Sequence, residues 1–140
     1  PGTSEVATTR IYQGIPAKIW AAKMVKEEPQ EIEKAWGHET ILVNRQYCAK
    51  LLHLLKGASS SRHAHRMKIE TFHCIEGTAV LTVAGKGYLL TPFTRPKTIE
   101  PGELHSFHGV SDAVILEVSS GDEPQDVERF SESRAGVSWR

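Results

Sequence analysis

Residues 57–77, "GASSSRHAHRMKIETFHCIEG", decide how this chain folds. Two histidines sit one residue apart, a glutamate follows, and a glycine stands at each end. Side chains two apart on a strand point to the same side, so His63 and His65 converge. Glu70 lies five positions after His65, which would put it on the opposite face of an unbroken strand. If Glu70 joins the histidines, the chain has to turn or bulge around Arg66–Met67, and Lys68 then shares a face with Glu70. On its own the His-x-His pair also fits a polar loop between two strands; the surrounding residues decide between the two.

The 140 residues are a length for one domain with its own core. Seventeen Lys and Arg balance seventeen Asp and Glu. That neutral balance gives no electrostatic footprint for nucleic acid or an anionic membrane surface. Five of the seven histidines, His53, His63, His65, His73 and His105, fall between 53 and 105. Cys48 and Cys74 sit in apolar runs, as free buried thiols do, and two cysteines do not imply a disulfide. No apolar stretch reaches the roughly 18 residues of a membrane span. The opening "PGTSEVATT" has no charged region leading into an apolar one, so a cytoplasmic protein is the expectation.

Short runs rich in β-branched and aromatic residues follow one another from 38 to 119: "TILVN", "YCAKLLHLL", "IETFHCIEG", "TAVLTVAG", "KGYLLT", "LHSF" and "AVILEVSS". Gly, Pro, Asn and Ser punctuate them. Strands at this spacing predict an all-β antiparallel sandwich or barrel. "TVAGKGYLL" reads as a hairpin whose glycines supply the positive φ of a tight turn. Before the barrel, residues 8–25 predict a short strand plus irregular chain, and residues 27–37, "EEPQEIEKAWG", at most a helical turn. The polar residues 120–140 are expected to pack across the outside.

His105 in "EPGELHSF" is a further candidate ligand, because Pro101–Gly102 makes a turn that can deliver it at the mouth of a strand. Three imidazoles and one carboxylate form a mixed nitrogen and oxygen set. It suits Mn, Zn, Fe, Ni or Co with positions left for water or substrate. A closed structural zinc site would use cysteine.

Gly57, His63, His65, Glu70 and Gly77 resemble the first cupin motif at every fixed position. The second motif is looser. Gly102 and His105 match its G-x-x-H centre, while its leading glycine falls on Thr94, its proline on Glu100 and its final asparagine on Gly109. The resemblance covers residues 40 to 119. It implies a single cupin domain over 1–140, with a jelly-roll β-barrel core over about 38–119, a short N-terminal extension and a C-terminal tail. It also implies a divalent metal held by His63, His65, Glu70 and His105.

Within the superfamily, several stretches are similar to sugar and sugar-phosphate isomerase cupins, the D-lyxose isomerase-like and mannose-6-phosphate isomerase-like proteins among them. These are the Trp36–Gly37 pair, "YCAK" at 47–50, a basic residue two before Glu70, "IEPGELHSF", "LEVSS" and the Asp126-x-x-Arg129 ending. That likeness implies an aldose–ketose isomerase on a small carbohydrate, with Mn or Zn favoured. Isomerisation moves a proton between adjacent carbons, so it needs a cation to polarise oxygens, a base and a donor to the enediolate oxygens. Lys68 is the candidate donor. Lys50 reads either as a buried cation whose proton affinity falls unless paired, or as an edge-strand lysine facing solvent. Glu117, a lone carboxylate in "AVILEVSS", reads either as a buried base or as an outward-facing residue. A metal-dependent dioxygenase uses the same ligands and stays open as an alternative, as does a non-catalytic sugar-binding cupin with poor metal occupancy and no base near the metal.

His53 and His73 are read as hydrogen-bonded structural histidines, and His108 as an exposed residue. His38 either contacts substrate or caps the barrel entrance. Trp36, Tyr47 and Phe107 are read as packing residues, and Arg66 and Arg129 as solvated arginines with the geometry to bind a phosphate. An open sheet edge invites aggregation, so a homodimer with the N-terminal stretch crossing over is expected.

Overall fold

The computed structural model describes residues 28–136, and every regular element in that range is a strand. The strand expected within 8–25 and the crossing N-terminal stretch lie outside the described residues. The strands are β1 (Gln30–Lys34), β2 (Gly37–Asn44), β3 (Tyr47–Leu54), β4 (His63–Ala64), β5 (Glu70–Glu76) and β6 (Ala79–Val83). They continue as β7 (Lys86–Leu90), β8 (Lys97–Ile99), β9 (His105–Gly109), β10 (Ala113–Ser120) and β11 (Glu128–Arg129). They form two antiparallel sheets, ordered β1-β2-β3-β10-β5-β8 and β11-β4-β9-β6-β7. Among the described residues no helix is long and apolar enough to cross a membrane.

Residues 27–37 do not make the helical turn expected of them. Gln30–Lys34 pairs in register with β2, from Gln30 opposite Ile41 to Lys34 opposite Gly37. Glu and Lys favour helices in isolation, but pairing outweighs that weak preference, and buried Trp36 anchors the turn. The tail also departs from expectation. Rather than lying only outside, it supplies β11, sends Asp122 into the cavity and caps the Arg66–Lys68 backbone with Asp126, as described below.

Period-2 alternation sets what the barrel encloses. On β3 the buried positions are Cys48, Lys50, Leu52 and Leu54, on β10 Ala113, Ile115, Glu117 and Ser119, and on β5 Glu70, Phe72 and Cys74. The registers stack these into layers. Leu54 faces Ala113; Leu52, Ile115 and Cys74 align next; then Lys50, Glu117 and Phe72; then Cys48, Ser119 and Glu70. One end of the interior is therefore apolar, closed from the other sheet by Ala79, Leu81 and Phe107, and the other end is charged. Both cysteines are free and buried.

Two turns explain glycine placement. The β6–β7 hairpin turns at Ala84 (φ 48°) and Gly85 (φ 82°), so the first positive φ comes from an alanine and Gly87 supplies none. Gly77 (φ 75°) joins β5 to β6, and a Cβ there would collide with the Asp112 carbonyl oxygen. Gly77→Ala is expected to lower stability by about 2 kcal/mol or more, since strain and clash combine. A thermal melt checks this, and an unchanged Tm would contradict the close approach.

Candidate metal centre and the charged cluster beside it

The four expected ligands come from three strands of two sheets. His63 on β4 lies directly opposite His105 on β9. Glu70 opens β5, and His65 sits between, just past the end of β4. The bend that lets Glu70 turn back toward the histidines falls at Arg66–Met67. The Asp126 carboxylate holds it, accepting backbone N–H bonds from Arg66 (2.9 Å), Met67 (3.2 Å) and Lys68 (3.0 Å). Whatever burial costs it, those donors keep the Asp126 carboxyl below its usual range.

Each imidazole is locked in one tautomer. Nδ1 of His63 donates to the Ser61 carbonyl (2.9 Å), Nδ1 of His65 to the Asp126 carbonyl (2.7 Å) and Nδ1 of His105 to the Glu103 carbonyl (2.9 Å). A carbonyl only accepts, so each Nδ1 carries a proton, and in a neutral ring the Nε2 lone pair is then free for a metal. One ligand atom from each of His63, His65, Glu70 and His105 lies within 4.8 Å of the others. Burial, with help from His105, lowers the His63 proton affinity to about 4, and burial also lowers that of His65. The His63 ring is neutral at pH 7.

The donor set fits a cation. His105 Nε2 lies 2.6 Å from Glu70 Oε1, yet neither atom has a hydrogen-bond partner. With the His105 proton on Nδ1, two buried acceptors face each other, an arrangement that costs free energy unless something positive lies between them. The cluster could hold a metal ion.

Lys68 completes the design of Glu70. Its ammonium lies 2.9 Å from Glu70 Oε2, which leaves Oε1 toward the histidines. The same ammonium bonds Glu117 Oε1 (3.1 Å) and Asp122 Oδ1 (3.0 Å). An ammonium has three protons, and all three are used. Lys68 faces the same way as Glu70, as expected, and its three N–H groups all lie against carboxylates. Lys50 faces inward opposite Glu117 and bonds Asp122 Oδ2 at 2.6 Å, with Glu39 at 3.9 Å, so the solvent-facing alternative falls. Its second close partner is distant, and it retains donor capacity.

Charge pairing overrides burial for the lysines. Burial opposes the protonated form of both, but Glu117 and its neighbouring carboxylates outweigh it, and both proton affinities rise. Asp122 falls below its usual range because Lys50 and Lys68 outweigh its burial. Burial likewise opposes the Glu70 carboxylate, but His105, whenever its Nε2 carries a proton, and the Lys68 ammonium outweigh it and bring the carboxyl to about 2. Glu117 goes the other way. Burial raises it to about 7, with Lys68 opposing and Glu70 reinforcing the rise. His63, His65, Lys68, Glu70, Lys50 and Glu117 all line one cavity of about 1110 Å³.

Other expected residues disperse. His38 stacks on His53 (ring centroids 4.1 Å) beside a separate small hollow, away from the metal cluster. His53 contacts the Thr40 hydroxyl, but Nδ1 of His73 has no hydrogen-bond partner. His108 is exposed and bonds Ser59. Trp36 and Phe107 are buried, whereas Tyr47 is exposed and does not pack. Arg66 pairs outside with Glu128 (2.7 Å), while Arg129 lines the cavity and donates to Ser61 Oγ (2.8 Å). Asp122 was missed, its only signal an acidic residue in a tail that reads as solvated, and Asp126 was noted only within the Asp126-x-x-Arg129 ending, with no role assigned.

No protein-family profile matches the chain, and no curated protein matches it by sequence. Solved structures do. CapF from Staphylococcus aureus, a capsular polysaccharide assembling protein, aligns with 75% of this chain at TM-score 0.66 and 18% identity, and this chain spans 34% of CapF. Streptomyces Pac13, a nucleoside dehydratase solved with uridine, aligns with 77% of this chain and 88% of its own at TM-score 0.64 and 16% identity. KdgF from Halomonas sp. aligns with 71% of this chain and 90% of its own, at 0.61 and 15%. At these identities the likeness shows the fold, which is the cupin jelly-roll β-barrel.

Removing one of four ligands forfeits much of the chelate. His63→Ala and His105→Ala are each expected to cut bound Mn or Zn sharply by elemental analysis, and to abolish the rise in Tm on adding metal. Asp126→Ala should weaken metal affinity by about 10–100-fold in a chelator competition, because it frees the bend that aims His65 and Glu70. Unchanged metal content in the histidine variants would sink the ligand assignment.

Proposed function

We propose that this chain is a metal-dependent cupin enzyme, an aldose–ketose isomerase acting on a small sugar or sugar phosphate. The observation that carries the proposal is Glu117. This buried carboxylate has a proton affinity near neutrality, lines the same cavity as the metal cluster and is tied to the ligand Glu70 through one ammonium. A general base is most effective with its pKa near working pH.

In this mechanism a bound divalent ion supplies polarisation of the carbonyl and hydroxyl oxygens of substrate. Glu117 takes the proton from one carbon and returns it to the next. Its contact with Lys68 uses Oε1 and leaves Oε2 for the proton. Lys50 donates to an enediolate oxygen, the task first expected of Lys68. Lys68 holds Glu70 and Glu117 in place. An oxygen-activating site has no need of such a proton-handling set, which is why the dioxygenase ranks second and the sugar-binding module third.

The chain is further proposed to act as a homodimer. Tyr47, Ile75 and Val118 are exposed on the outer face of the six-stranded sheet, a surface a second copy can cover. Light scattering at micromolar concentration tests it, and a monomer refutes it.

Metal-loaded protein should interconvert at least one aldose and ketose and incorporate deuterium from D2O at the reacting carbon. Glu117→Gln should lower turnover by about 10²–10⁴-fold with metal content intact. A base works deprotonated, so kcat/KM should rise with pH and level off at or below about pH 7. A cation on Glu70 offsets the charge that helps raise Glu117, which moves the plateau down and not up. No conversion across a sugar panel defeats the isomerase; oxygen uptake with iron bound establishes the dioxygenase instead.

A further inference from the structure

We propose that Arg129 selects a substrate carrying an anionic group, carboxylate or phosphate, bound beside His63; this deepens the isomerase proposal and rests on it. Strand geometry aims the side chain. On β11, Glu128 and Arg129 point to opposite faces, and Glu128 goes outward to Arg66 at 2.7 Å. Arg129 lies directly opposite His63, which in turn lies opposite His105. Directly opposed residues share a face, so Arg129, His63 and His105 form a row across three strands on the cavity side.

The cavity's other cations are already paired. Lys34 lies 3.5 Å from Glu39, Lys50 2.6 Å from Asp122, and Lys68 within 3.1 Å of Glu70, Glu117 and Asp122. Arg129 differs. Among the described residues its one hydrogen-bond partner is the neutral hydroxyl of Ser61, and no carboxylate pairs with it. Ser61 is 2% exposed, so a buried anchor fixes one nitrogen of the fork. A guanidinium has five N–H donors, and four remain. Their planar arrangement matches two oxygens of a carboxylate or phosphate, and pre-orientation reduces the entropy lost on binding.

Arg129 is exposed at the cavity rim, as are Glu33, Glu123 and Glu132, so the case for an anion rests on its unused donors beside His63 and not on the net charge of the lining. Because Arg129 adjoins a metal ligand, the anionic group sits only a few atoms from the reacting carbons, and the substrate is small.

The test is calorimetric titration with inorganic phosphate and, separately, with acetate, on metal-loaded and on chelator-treated protein. Arg129→Gln should weaken binding of the preferred anion at least about tenfold, the loss expected for a charged hydrogen bond. Metal content and Tm should stay unchanged, Arg129→Lys should recover part of the affinity, and Arg66→Gln should bind like the wild type. Preference for phosphate identifies a phosphorylated substrate, and preference for acetate a sugar acid. Equal affinity in wild type and Arg129→Gln overturns the assignment, as does absence of anion binding by the wild type. The readout is independent of turnover. Arg129-dependent binding without sugar isomerisation removes the isomerase and keeps the anion site; isomerisation indifferent to Arg129 does the reverse.

Discussion

An ammonium buried among three carboxylates is the constraint on which the functional end of this barrel depends. Taking any of these charges out of water alone costs several kcal/mol, so each is tolerable only in the company of the others. Lys68 touches Glu70, Glu117 and Asp122 within 3.1 Å, and Lys50 adds a second cation on Asp122. Two ammonium groups against three carboxylates leave one negative charge in excess. The cluster accommodates that excess in two ways. Glu117, buried beside a second carboxylate, retains a proton up to about pH 7. Glu70 points its other oxygen at three imidazole lone pairs, where a cation would be neutralised and neutralising. Charge balance thus links Glu117 to the histidine–glutamate cluster through Lys68, without direct contact between them.

The tail turns that chemistry into a defined shape. Asp126 fixes the bend between His65 and Glu70 through three backbone bonds, and its own carbonyl fixes the His65 tautomer. Asp122 bridges the two lysines. Arg129 reaches Ser61 next to His63. A segment that reads as polar and solvated is thereby a wall of the cavity. The barrel supplies the ligands on rigid strands, and the tail sets their orientation, which is how an imprecise loop becomes a precise binding site.

Much of this was legible in the residues themselves. Short β-branched runs with turn residues between them announced an all-β fold, and "AVILEVSS" coincides with β10. The His-x-His spacing and the need for a bend before Glu70 followed from the period of a strand. Other features lay out of reach. Residues 30–34 look helical because Glu and Lys prefer helices, and only the partner strand reverses that. The hairpin's first positive φ fell on Ala84, a position no glycine marked.

What the sequence determined by itself is the alternation of strands and the supply of imidazole and carboxylate at ligand spacing, because both are local and repeat every two residues. What only the tertiary structure decided is who partners whom. Lys50 and Glu117 face inward because β3 and β10 pair in one register out of two. Lys68 is tied to three carboxylates because residues up to 54 positions away come to surround its ammonium. Electrostatic satisfaction depends on distance in space, and no spacing along the chain encodes it.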